Sequence, residues 1–253
     1  MLYDWPPIAA LPRSAETELL DQPAHDQAAL ADNLRDLHTI DWLLGSSRLT
    51  WRALWPMLRT LPRGEPRTLL DVATGGAGGP RRLAAWAQRH GHDLRPIGSD
   101  RLGDVLRLAR AGGARFPLVR HDALHIPLPD RAVDFVTCAL ALHHFEPDAA
   151  AQLLCELHRV ARYGVIVNDL RRTRPAYWGA LLLARGPWHT MARHDGPLSV
   201  LRAYTPAEVR AIVAQAGLAH ARVEARPLFR ILITLRPTRH PPQNPQAMLH
   251  SAQ

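Results

Sequence analysis

Apolar positions repeat every three to four residues from Asp26 to Leu44, at Leu30, Leu34, Leu37, Ile40 and Leu44, which predicts a helix that stops at Gly45. A second helix is predicted over Leu49 to Leu61, with Trp51, Leu54, Trp55 and Leu58 on one face. Pro62, Gly64 and Pro66 then form a linker. Beyond it the pattern becomes an alternation of short apolar runs and helical segments. The runs are Thr68 to Ala73, Pro96 to Asp100, Phe116 to Arg120, Val133 to Ala139 and Gly164 to Asn168. Between them helices are predicted from Pro80 to about His90, from Asp104 to Ala111 and from Asp148 to Val160. Such alternation implies a parallel sheet with helical crossovers.

The end of this pattern carries topological information. Thr205-Pro206-Ala207-Glu208 has the residues of a capping box and opens a helix that Gly217 closes. Two strands follow, His220 to Ala225 and Phe229 to Leu235, separated only by Arg226, Pro227 and Leu228. A parallel crossover needs a dozen or more residues, so these two can pair only as antiparallel neighbours. The expected fold is therefore α/β: a Rossmann-like, seven-stranded, mostly parallel sheet with the last strand antiparallel, plus an N-terminal helical segment. The expected organisation is a helical cap over 1–65, a core domain over 66–236 with an insertion at 173–202, and a disordered Pro-rich tail over 237–253. Residues 1 to about 18, rich in Pro and polar groups, are expected to be loosely ordered.

Composition narrows the class. Hydrophobic residues make up 47% and charged residues 21%, a globular balance that excludes a disordered chain. No apolar run reaches the ~20 residues of a membrane span. Met1 to Pro12 lacks a basic start and contains Pro6 and Pro7, so it does not read as a signal peptide, and a soluble cytoplasmic protein is the default expectation. The net charge is +8, carried by arginine alone, since the chain has no lysine. A basic surface can attract nucleic acid or anionic lipid, but these arginines are scattered, and arginine-rich composition is the simpler account. The absence of lysine excludes a phosphate-binding P-loop. Cys138 and Cys155 lack metal or redox spacing and are expected to be buried small hydrophobes, and no metal site is predicted.

The candidate chemistry lies at the strand ends. Leu69-Leu70-Asp71-Val72-Ala73-Thr74-Gly75-Gly76-Ala77-Gly78-Gly79 takes a strand through a turn of small residues into a helix, where the backbone can approach a ligand closely. An acid, Asp100, ends the second strand. Arg120-His121-Asp122-Ala123-Leu124-His125-Ile126-Pro127-Leu128-Pro129-Asp130 follows the third, and Val133-Asp134-Phe135-Val136 leads into Ala139-Leu140-Ala141-Leu142-His143-His144-Phe145. From about Arg67 to Leu235 the chain resembles the class I S-adenosylmethionine-dependent methyltransferases, and within them the ubiquinone/menaquinone biosynthesis type.

The resemblance implies S-adenosylmethionine as cofactor. It implies a first motif of Asp71 and three small positions, Ala73, Gly75 and Ala77, two of which depart from the family's glycines. A positive φ at either alanine would be strained. It further implies Asp100 on the ribose hydroxyls with Arg101 beside it, Asp122 and the Ala123 backbone against adenine, and Ala139 and Leu140 lining the cofactor. Asn168-Asp169-Leu170 resembles enzymes acting on phenolic, quinone-like or polyketide rings, although the same residues suit a loop that solvates its own charges.

Methyl transfer from a sulfonium is an in-line displacement needing alignment and exclusion of water. His143, His144, Asp169, His189 and His194 are the candidate proton acceptors, His144 first among them. The segment Thr173 to Arg202, with Tyr177, Trp178, Leu181 to Leu183, Trp188 and Met191, is expected to wall a pocket for a lipophilic or aromatic small-molecule acceptor, or else to be ordinary core. Trp42, Trp51 and Trp55 are expected to close the site from the other side, and Arg48 and Arg52 either meet the cofactor or lie on the surface. Three rival readings stand. A nicotinamide-dependent oxidoreductase would use Gly76-x-Gly78, but its third glycine falls on Arg81. A nucleic-acid methyltransferase is favoured only by charge. A methyltransferase fold kept for binding alone is the third.

Overall fold

The computed structural model describes residues 11–22 and 26–236. The tail expected at 237–253 and the opening of the lead-in lie outside the described residues. Helix α1 (Gln27–Leu44) starts where the Asp26 side chain accepts from the Ala29 N–H, and ends at Gly45, whose left-handed φ of 66° also launches α2 (Ser46–Leu58) with no intervening loop. That shared glycine is why α2 starts three residues before the expected Leu49. The core then runs β1 (Arg67–Val72), α3 (Gly78–Arg89), β2 (Leu94–Asp100), α4 (Gly103–Ala111), β3 (Leu118–Arg120), β4 (Val133–Ala139), α5 (Pro147–Val160) and β5 (Ala161–Leu170). It continues through α6 (Arg174–Leu183), α7 (Thr190–Arg202), α8 (Pro206–Gln215), β6 (Arg222–Arg226) and β7 (Arg230–Leu235).

The seven strands lie in the order β3-β2-β1-β4-β5-β7-β6. Every pairing up to β4–β5 is parallel, whereas β7 runs antiparallel to both β5 and β6. The short hairpin loop dictates this reversal, and its Leu228 and Phe229 both take positive φ, 57° and 54°. Alternate strand residues serve opposite faces. Leu70, Val72, Val136, Val165, Val167 and Ile233 pack with α5 and α8. Leu69, Phe135, Ile166 and Leu232 pack with α2 and α3. Helix α2 comes so close to β5 that a Cβ on Gly164 would lie 2.5 Å from Met57 Sδ. Thr205 and Glu208 form the expected capping box of α8, and Glu208 also pairs with Arg172. Among the described residues no helix is long and apolar enough to cross a membrane.

Three expectations are corrected. Residues 11–18 are not loose: they form an irregular strap across the carboxyl ends of the strands. Arg13 donates to the carbonyls of Arg202 and Phe145 and pairs with Glu146, and its guanidinium lies 4.6 Å from the Tyr204 ring centroid. The Leu19 and Leu20 N–H groups donate to Asp195 of α7 at 2.8 and 3.0 Å, and Glu18 is buried. These anchors come from residues more than a hundred positions away, so no local periodicity announces them. Cys138 is buried as expected but Cys155 is exposed, because it falls on the outer side of α5. Finally, Trp51 and Trp55 stack on each other and pack against Trp86, His90 and His92 beside α3, while Trp42 is 61% exposed. The tryptophan face of α2 has been used for helix packing. Arg48 and Arg52 are exposed.

Candidate active site at the strand ends

The carboxyl ends of β1, β2, β4 and β5 share one edge of the sheet, the usual ligand side of an open parallel sheet. Asp71, near the end of β1, is buried. It accepts from the hydroxyls of Thr137 (2.6 Å), opposite it on β4, and Thr74 (2.8 Å). Burial pushes its carboxyl up to about 6 against the opposing effect of those hydroxyls, with Asp41 and Asp100 adding repulsion. The turn after β1 has left-handed backbone at Ala73 (φ 56°), Gly75 (φ 53°) and Ala77 (φ 57°). The alternate small positions thus adopt the glycine-like conformation even where alanine stands. Added Cβ atoms on Gly75 and Gly76 would meet nothing within 4 Å, so the turn is open at these two positions. On Gly78 a Cβ would collide with His38 of α1, which packs over the next step of the turn.

Asp100 ends β2 and bridges the two loops, accepting from Gly75 N–H at 3.1 Å and Leu102 N–H at 3.0 Å. Burial raises its pKa despite these hydrogen bonds. Arg101 is exposed beside it, its carbonyl accepting from Arg120. Asp122 sits in an exposed turn after β3, one oxygen accepting from Leu124 N–H at 2.9 Å, and Ala123 is half-buried next to it. Ala139 ends β4 and Leu140 follows it at φ 57°, its N–H donating to the Asn168 carbonyl. The sequence-predicted cofactor residues therefore form two linked groups, the Asp71–Gly75–Asp100 set and the β4 edge. The Asp122 turn stands on the neighbouring loop.

A second cluster occupies the 3-10 turn Leu142–His144 and the end of β5. Asp169 is buried and receives His143 twice, from the backbone N–H at 2.9 Å and through Nδ1 at 2.6 Å. Burial opposes its charge, but His143 and the backbone donors hold the carboxyl below its usual range. The His144 ring lies 4.3 Å from that of His143, and its Nδ1 is 2.7 Å from Asp21 of the strap. Burial alone would lower the His144 pKa. The Asp21 hydrogen bond and the charges of Glu18, Asp21 and Asp169 outweigh it and raise the pKa. The free Nε2 atoms of both rings face the Glu18 carboxylate, at 3.5 Å and 3.7 Å.

Other candidates fall elsewhere. His189 caps α7 and His194 pairs with Asp195 on a half-exposed edge. Asn168 is buried, with its amide donating to Ser46 and Thr50 of α2, so it fastens a helix. Within 173–202, Met191, Leu198 and Val200 are buried, whereas Trp178 and Leu182 of α6 are 66% and 67% exposed. Sequence reasoning missed Glu18, Asp21 and Thr137. The first two sat in a segment without periodicity. Thr137 was readable as a polar position inside an apolar strand.

Comparison with known proteins finds similarity to methyltransferases. The family description "Methyltransferase domain" matches residues 70–167. A demethylmenaquinone methyltransferase of Deinococcus radiodurans is 36% identical over 104 residues, covering 40% of this chain and 41% of that protein. The crystal structure of a SAM dependent methyltransferase from Aquifex aeolicus aligns over 84% of this chain and 99% of its own, with a TM-score of 0.54 and 20% identity. Human N-acetylserotonin methyltransferase, solved in complex with SAM, aligns over 83% of this chain and 56% of its own, with a TM-score of 0.54 and 15% identity.

Proposed function

We propose that this chain, whose residues 70–167 match the description of a methyltransferase domain, transfers a methyl group from S-adenosylmethionine to a small phenolic, quinone-like or polyketide acceptor. The observation that carries the reading is the left-handed turn at Ala73, Gly75 and Ala77, tied to Asp100 and open at Gly75 and Gly76. Those features fit the cofactor. The cofactor supplies a methyl group already activated on a sulfonium.

The chain's own residues do the rest. Asp71 locks the turn to β4 through Thr74 and Thr137. Asp100 keeps lone pairs for ribose hydroxyls while holding Gly75, and Arg101 flanks it. Asp122 and the Ala123 backbone receive the adenine, and Ala139 and Leu140 form the opposite wall. The strap and the β4 edge exclude water from the transfer. Both His143 and His144 have Nδ1 engaged by a carboxylate, so a proton leaving the acceptor would be taken at Nε2. Asp169 positions His143. The acceptor class draws support from the Deinococcus relative's name; Asn168 and Asp169, at the end of β5, are buried on α2 and His143 and add nothing to it.

Calorimetry on the purified chain with S-adenosylmethionine and with NAD tests the cofactor. We expect binding of the former alone. Binding of NAD alone would overturn the reading. A panel of phenolic and enolic acceptors then tests turnover, and cofactor binding without turnover on any of them would favour a binding role instead.

A further inference from the structure

Glu18, His143 and His144 bring three ligand atoms within 4.8 Å of one another in a largely buried place. We infer that these three side chains form a binding site for one divalent transition-metal ion of the zinc type. Glu18 presents one oxygen to each histidine, at 3.5 Å from His143 Nε2 and 3.7 Å from His144 Nε2. These separations are long for hydrogen bonds. With one atom taken from each side chain the three ligand atoms lie within 4.8 Å of one another, so a small inward movement brings them to the ~3.4 Å edge of a tetrahedron with metal–ligand bonds of ~2.1 Å.

The surroundings match the requirements of such a site. Each imidazole has its Nδ1 on a carboxylate, His143 on Asp169 and His144 on Asp21. That arrangement fixes the ring, sets the tautomer and aims Nε2 at the ion. The two rings come from adjacent residues of one turn, and the carboxylate comes from a strap anchored at Arg13 and Asp195. Glu18 Oε1 also accepts from Ser199 Oγ at 2.9 Å, which orients it as a ligating carboxylate is usually oriented. Three carboxylates, Glu18, Asp21 and Asp169, gather here. Arg202 stands 3.9 Å from Glu18, but its Nε and second amino group are also turned to the carbonyls of His143 and His144. Two histidines and one carboxylate leave at least one coordination position open.

An ionised phenolic or enolic oxygen would fill that position. The ion and a proton compete for the same Nε2 atoms, so with the ion bound the stabilisation of the acceptor oxygen passes to it. This role rests on the proposed methyl transfer; the ion site does not, and it is tested without cofactor or acceptor.

The test uses the full chain, freed of any affinity tag and stripped with chelator, titrated with zinc chloride alone in a calorimeter. One ion per chain is expected. Glu18→Gln and His144→Gln should each weaken binding by at least about tenfold. His220→Ala, at an exposed position away from the trio, should leave it unchanged. Circular dichroism checks that the variants fold. Should they not, cobalt substitution of the unaltered chain decides: visible absorption bands of a four- or five-coordinate ion are expected. The inference is overturned if the unaltered chain takes up no stoichiometric zinc, if both substitutions leave affinity unchanged, or if cobalt gives only the spectrum of the hydrated ion.

Discussion

Ala73 and Ala77 hold a backbone conformation that costs an L-residue roughly 1–2 kcal/mol relative to the right-handed region. Ala73→Gly should relieve that cost while adding chain entropy and losing a partly buried methyl, leaving stability within about 1 kcal/mol of the parent. Ala73→Val, branched at Cβ in the same conformation, should lose about 1–3 kcal/mol. Urea unfolding of both variants checks this, and a fully stable valine variant would contradict a left-handed Ala73. Asp71 makes a separate prediction. Its folded pKa of about 6 lies above the ordinary 3.8. Between those values the folded chain keeps a proton that the unfolded chain releases, so stability falls as pH rises through the window, by roughly 3 kcal/mol. Unfolding midpoints from pH 4 to 7 should show this slope, and Asp71→Asn should flatten it. The spacing of the small residues was readable in the sequence because backbone demands are local. The partners of Asp71 were less so, because Thr137 is brought opposite by strand register.

At the level of elements, helix ends and strand order were the most legible features. Asp26, Gly45 and the Thr205–Glu208 box act within a few residues, and the reversal of β7 follows from a loop too short for a crossover. What local pattern could not carry was which helix face meets which partner. The tryptophans of α2 read as a site wall and prove to be packing against α3. The tight seat of α2 on β5 gives a direct check. Gly164→Ala should destabilise by about 1–3 kcal/mol, since its new methyl meets Met57. Met57→Ala should cost about 2–5 kcal/mol alone. The double variant should lose clearly less than the sum, and a double-mutant cycle by denaturant unfolding measures the coupling. Strict additivity would mean the two residues do not touch.

Across the whole molecule most arginines are exposed, but several work inward. Arg82 pairs with Asp41 between α1 and α3, Arg159 binds Glu156 and Asp130, and Arg172 binds Glu208 and the carbonyl of Leu11. Arg13 is the clearest case, since one guanidinium serves the Arg202 and Phe145 carbonyls and Glu146. Arg13→Ala should cost about 1–3 kcal/mol by leaving partly buried acceptors unpaired, read as a lowered thermal midpoint. It should also speed proteolysis within residues 11–22 more than within the sheet. Uniform sensitivity would show that the strap and the sheet open together.

The strap also orders events during synthesis. Arg202 leaves the ribosome 189 positions after Arg13, so at ~5–20 residues per second the opening segment waits ~10–40 s for its anchor. A nascent chain stalled just before α7 would already own the first five strands and both histidines of the turn. It would still lack Asp195, Ser199 and Arg202, the groups that seat Glu18.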